Sequence, residues 1–188
     1  MGLKKINAVL GLLLSAVCLT HVVTEVCYVV VGGDVWTHLQ IIAKICGAIA
    51  ILHILISCYM IFISHEGKRI SPYPRENMST LLQRISGFLM ILLLFFHVGL
   101  AEKLLARQDG SLWFFILNVT AAILCYGTVL LHIALSFSRA LITLGALSSR
   151  KTQRRLDRIL WIVLGLLFIA ASILITYAYA KLYLFSTP

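Results

Sequence analysis

Four histidines, His21, His53, His97 and His132, lie deep within long apolar runs, one in each of the first four such runs of the chain. An ionisable side chain inside a membrane span is costly enough to mark a functional site by default. Imidazole is also a standard axial ligand for haem iron, and a haem held in a helical bundle takes one imidazole from each of two facing helices at matching depth. For any single histidine, a hydrogen bond to a neighbouring helix explains the residue equally well. One histidine in each of four helices, paired by depth, weighs against that explanation for the set. His38 and His65 fall near the two membrane surfaces, where a solvated imidazole is cheap, and are not counted as ligands.

The elements that must position these residues follow from composition. Hydrophobic residues make up 61% of 188 and charged residues 12%, with a mean hydropathy of +0.99, which excludes an ordinary soluble domain. Five stretches reach the roughly 20 apolar residues that a bilayer requires: 6–31, 39–64, 80–104, 111–147 and 156–185. Turn residues mark the links, at Gly32-Gly33-Asp34, Ser71-Pro72-Tyr73-Pro74, Asp109-Gly110 and Ser148-Ser149. The expected fold is therefore an all-α membrane protein, five transmembrane helices in one up-and-down bundle without a separate domain. The first run continues past Cys18, and Val17 suits cleavage poorly, so an uncleaved first span is expected rather than a signal peptide.

The net charge of +9 does not imply nucleic acid, because the cations sit between apolar runs, where topology accounts for them. Lys4, Lys5, Lys68, Arg69, Arg75, Arg84, Arg139, Arg150, Lys151, Arg154, Arg155 and Arg158 gather on one side, twelve of the 16. The positive-inside rule then puts the amino terminus in the cytoplasm and the Arg139–Leu147 end of the fourth stretch inside the cell; the expected location is the inner (cytoplasmic) membrane. With that orientation, His21 and His97 both fall in the outer half of their helices, and His53 and His132 in the inner half. Two level pairs result: His21 with His97 for an outer haem, and His53 with His132 for an inner one. No Met or Cys is better placed as a ligand. All five cysteines are scattered in apolar runs without a CxxC pair or a CxxCH sequence, so they read as small core residues and the haem would be b-type.

An internal repeat supports the pairing. Gly11 precedes His21 by ten residues as Gly87 precedes His97, and Leu52-His53-Ile54 with Ser57 mirrors Leu131-His132-Ile133 with Ser136. Such glycines admit a neighbouring helix or a flat macrocycle.

The sequence Gln83-Arg84-Ile85-Ser86-Gly87 with His97 ten residues on, the four-histidine pattern over five helices, and the segment Ser138–Arg155 together resemble the di-haem cytochrome b anchor subunit of succinate dehydrogenases and fumarate reductases. The resemblance covers nearly the whole chain; its short amino terminus and compact loops depart from the family. It implies two haem b groups, with the first helix paired to the third and the second to the fourth. It also implies cytoplasmic flavoprotein and iron–sulfur partners, and electron transfer between the iron–sulfur subunit and a membrane quinone, expected to be menaquinone. The chain carries no nucleophile–base set, P-loop or flavin fingerprint, so succinate and fumarate chemistry would belong to the partner.

Further residues are candidates for supporting parts. Arg84, Ser86 and Arg139 near the cytoplasmic level suit haem propionates, with plain interfacial anchoring as the alternative for the two arginines. The basic loops Lys68–Arg75 and Arg150–Arg158 suit docking of the iron–sulfur partner. Glu25, one turn beyond His21, suits proton exchange with quinone near the outer haem, and Gln40 and Lys44 at the start of the second helix suit its carbonyls. Two rival readings remain: a b-type subunit of another membrane dehydrogenase, such as one for formate or hydrogen, and a haem-free transporter or scaffold with histidines in a substrate path. Only Glu25 and Lys44 approach the deep charges that the second rival needs.

Overall fold

The computed structural model describes residues 2–31, 36–63, 74–105 and 112–184. Five helices account for nearly all of them: α1 (Leu3–Val31), α2 (Trp36–Cys58, extended by a wider π-helical turn over Tyr59–Ile63), α3 (Pro74–Leu105), α4 (Leu112–Leu144) and α5 (Arg150–Leu184). No strand occurs among the described residues. Each of the five is long and apolar enough to cross a membrane.

Their surfaces fit that solvent. Phe95 is 76% exposed, Phe62 73% and Trp113 73%. In water each such side chain would forgo about 1.5–3 kcal/mol of burial, whereas lipid satisfies it. Seven hydroxyl side chains are satisfied within their own helices. Ser15, Thr20, Thr24, Thr128, Thr143, Ser172 and Thr176 each donate to the carbonyl four residues earlier, at 2.7–3.0 Å.

The helix ends depart from the expected spans in instructive ways. α3 begins at Pro74 rather than 80, with proline in the first turn, where its missing N–H is not needed. α5 begins at Arg150 rather than 156, and its first intrahelical bond runs from Gln153 N–H to the Ser149 carbonyl at 2.9 Å. The basic stretch Arg150–Arg158 is thus helix and not the loop expected from its charge; arginine and lysine are good helix formers. Lys151, Arg154, Arg155 and Arg158 are exposed along it. α4 stops at Leu144, before the expected 147. Gly145 takes φ 80°, its N–H bonds the Ile142 carbonyl at 3.0 Å, and Ala146 N–H bonds the Leu141 carbonyl at 2.9 Å. That pair of bonds is a Schellman stop, and the left-handed residue in it favours glycine.

The turns expected at residues 32–34 and 109–110, the first three residues of the turn at 71–74, His65, and the 68–73 part of the basic loop lie outside the described residues. His38 falls within α2, but its side chain is likewise outside them.

The chain divides into two compact units. One contains Met1–Ser79 and Ser136–Asp157, the other Thr80–Leu135 and Arg158–Pro188. In the first, α1 and α2 pack antiparallel. In the second, α3 packs on α4, and α5 follows. Buried positions along the first half of α4, at Phe114, Asn118, Ala122 and Cys125, recur every three or four residues on one face. Gly127 of α4 lets α5 approach closely: a Cβ built there would stand 2.8 Å from Cε2 of Phe168.

Candidate functional site

The register of the first helix pair is fixed by three contacts. Ser57 Oγ donates to Asn7 Oδ1 at 3.2 Å, a Cβ on Gly11 would meet His53 Cε1 at 3.3 Å, and Cys18 Sγ lies 3.0 Å from Cys46 Sγ. Four residues separate Asn7 from Gly11 and four separate Ser57 from His53; seven separate Gly11 from Cys18 and seven separate His53 from Cys46. The register is therefore constant and antiparallel. It sets His53 level with Gly11, ten residues before His21 along α1. The two histidines of this pair thus occupy two levels about 15 Å apart along the helix axis.

The second pair repeats the arrangement. A Cβ on Gly87 would meet His132 Cε1 at 3.3 Å and Nδ1 at 3.6 Å. The chain between Leu105 and Leu112 can span at most about 25 Å, too little to return along a helix of about 48 Å, so α4 runs antiparallel to α3. His132 is then level with Gly87, again ten residues before His97, and again the levels lie about 15 Å apart. In both pairs the missing glycine side chain is what leaves room for an imidazole edge. All four histidines are half-buried.

The two glycine-facing histidines differ in their hydrogen bonds. Ser86, only 2% exposed, donates to the Gln83 carbonyl at 3.0 Å, and its Oγ lies 3.0 Å from His132 Nδ1. With the hydroxyl proton on the Gln83 carbonyl, Nδ1–H of His132 donates to Oγ and the lone pair resides on Nε2. This is the way an outer partner fixes the tautomer of a metal-ligating imidazole. His53 interacts instead with the backbone of Asn7, and its buried Nδ1 has no hydrogen-bond partner. The reason is readable in the repeat: Leu10 stands one residue before Gly11, where Ser86 stands before Gly87, and it has no hydroxyl.

A haem group fits these residues on two observations. A buried imidazole nitrogen is left without a partner at His53, and a glycine faces an imidazole in each helix pair. Among the described residues there is no cluster of three or more His, Cys, Asp or Glu side chains that could hold a bare metal ion.

The remaining candidates fall as follows. Ser86, expected near a propionate, lies against His132 of α4. Arg84 is exposed and Arg139 half-buried. Glu25 is half-buried in α1, and Gln40 and, one turn further, Lys44 of α2 are both exposed. The α1–α2 register sets Glu25 within one residue of the level of Gln40, and His21 within one residue of the level of Lys44. Sequence reasoning gave no role to Asn7, Leu10 or the Cys18–Cys46 contact. Asn7 was visible as the counterpart of Gln83, four residues before the glycine in each copy. Comparison of the chain with family models, with curated protein sequences and with solved structures returns no match.

Proposed function

We propose that the chain is the haem b-containing membrane anchor of a succinate dehydrogenase or fumarate reductase, passing electrons between an iron–sulfur subunit and a membrane quinone. The observation that carries this reading is the duplicated placement of histidines: two levels about 15 Å apart, in each helix pair, with a glycine facing one imidazole. His21 and His97 would hold one haem and His53 and His132 the other, in a five-helix bundle with a cytoplasmic amino terminus. Haem iron between two imidazoles supplies one-electron transfer when bound.

The chain's own residues do the rest. Ser86 orients His132 and fixes its tautomer, and Asn7 supports His53. Arg84 and Arg139, at the cytoplasmic level, offer guanidinium groups to propionates. Glu25 holds and releases protons beside a quinone whose carbonyls Gln40 and Lys44 contact. The exposed cations of the first turns of α5 present a basic face to the iron–sulfur partner, and a flavoprotein completes the complex.

Purification from native membranes tests the reading. Co-purifying covalent flavin, iron–sulfur and two haem b per anchor chain support it. Two haems with partners of another dehydrogenase class would replace it, and a haem-free chain would end it.

A further inference from the structure

Cys18 of α1 and Cys46 of α2 have no part in haem or quinone binding as described, yet their sulfurs meet. The Sγ–Sγ separation is 3.0 Å, both residues are half-buried, and both thiols are reduced. The contact belongs to the continuous register that also aligns Gly11 with His53 and Asn7 with Ser57, so it is set by the packing of the whole helix pair rather than by one rotamer. A disulfide bond is about 2.05 Å long, so the two sulfurs need to approach by roughly 1 Å to close it.

We infer that Cys18 and Cys46 form a two-electron redox site, a dithiol that a bilayer-soluble quinone oxidises to a disulfide tying α1 to α2. The quinone as oxidant rests on the function proposed above; the thiol pair does not. Hydrocarbon excludes charged and polar aqueous oxidants, so the acceptor must be one that dissolves in lipid. Two S–H bonds break and one S–S bond forms. The two electrons and two protons pass to the quinone, which leaves as quinol. Both cysteines lie on the histidine-side turns of the first pair, Cys18 three residues before His21 and Cys46 two after Lys44, so the bond would fix the wall on which Glu25, Gln40 and Lys44 stand.

The test uses the full chain in lipid nanodiscs, reduced and then exposed without oxygen to duroquinone, whose fully substituted ring cannot be alkylated by a thiol. Labelling with a maleimide polymer after denaturation counts free thiols. The expected result is a fall from the five cysteines of the chain to three, with about one duroquinol formed per chain, reversal by dithiothreitol, and a Cys18–Cys46 peptide on digestion. Cys18→Ala and Cys46→Ala should each keep all four remaining thiols. Five labelled thiols after duroquinone, or a disulfide between other cysteines, would overturn the inference. Haem content, read on the same sample, reports on the proposed function separately: loss of two thiols in a haem-free chain leaves the dithiol site standing, and unchanged thiols in a di-haem chain remove it alone.

Discussion

Ser86 Oγ lies 3.0 Å from Nδ1 of His132, whereas the corresponding Leu10 leaves Nδ1 of His53 buried without a partner. The duplicated helix pairs are therefore not equivalent. One glycine-facing imidazole has its tautomer fixed by a hydroxyl, and the other does not. If both are haem ligands, the two sides of the inner haem differ in ligand basicity, which is one way a protein tunes potential.

Replacing Ser86 by Ala should orphan His132 Nδ1 at a cost of about 1–3 kcal/mol. Thermal unfolding should fall by a few degrees, and redox titration should show one haem shifted and the other unchanged. Two unchanged potentials would make the Ser86 contact merely structural.

The reverse change, Leu10→Ser, supplies the missing hydroxyl beside His53. Haem content should stay the same while the inner haem's midpoint moves in the direction opposite to that of Ser86→Ala. A shift of the same sign as Ser86→Ala would mean that Leu10 does not stand where the repeat puts it.

Gly127 and Phe168 test the packing of α4 on α5 apart from any cofactor. A Cβ at Gly127 would lie 2.8 Å from the Phe168 ring, so Gly127→Ala requires the ring to move and should destabilise by about 1–3 kcal/mol. Adding Phe168→Leu should recover part of that loss in a double-mutant cycle. Additive effects would show that the two residues do not meet.

Much of this was legible in the sequence, and the misses have physical causes. Hydropathy located five spans because lipid tolerates little else, but it reports solvent rather than backbone. It therefore placed the starts of α3 and α5 at 80 and 156, where the apolar residues begin, while the helices start at Pro74 and Arg150. The stop of α4 was sought at Ser148-Ser149, but it is Gly145 that takes the left-handed backbone. The ten-residue Gly–His spacing was visible in both copies. The partner each glycine faces, the Cys18–Cys46 contact and the Ser86–His132 bond required the register between helices, which no single helix encodes.

Glu25→Gln isolates the quinone step. Turnover with quinone should collapse while both haems and dye-linked activity of the complex persist, because the substitution removes a proton acceptor and keeps the shape. Normal turnover with quinone would eliminate Glu25.

The measurement closest to the central claim is the haem-to-chain ratio of His97→Ala, taken from the pyridine haemochrome of purified protein beside His53→Ala and the parent. Ligation of His21 with His97 and of His53 with His132 predicts two haems in the parent and one in each variant, with different surviving midpoint potentials. A parent that binds no haem, or a His97→Ala chain that retains both, would contradict the account.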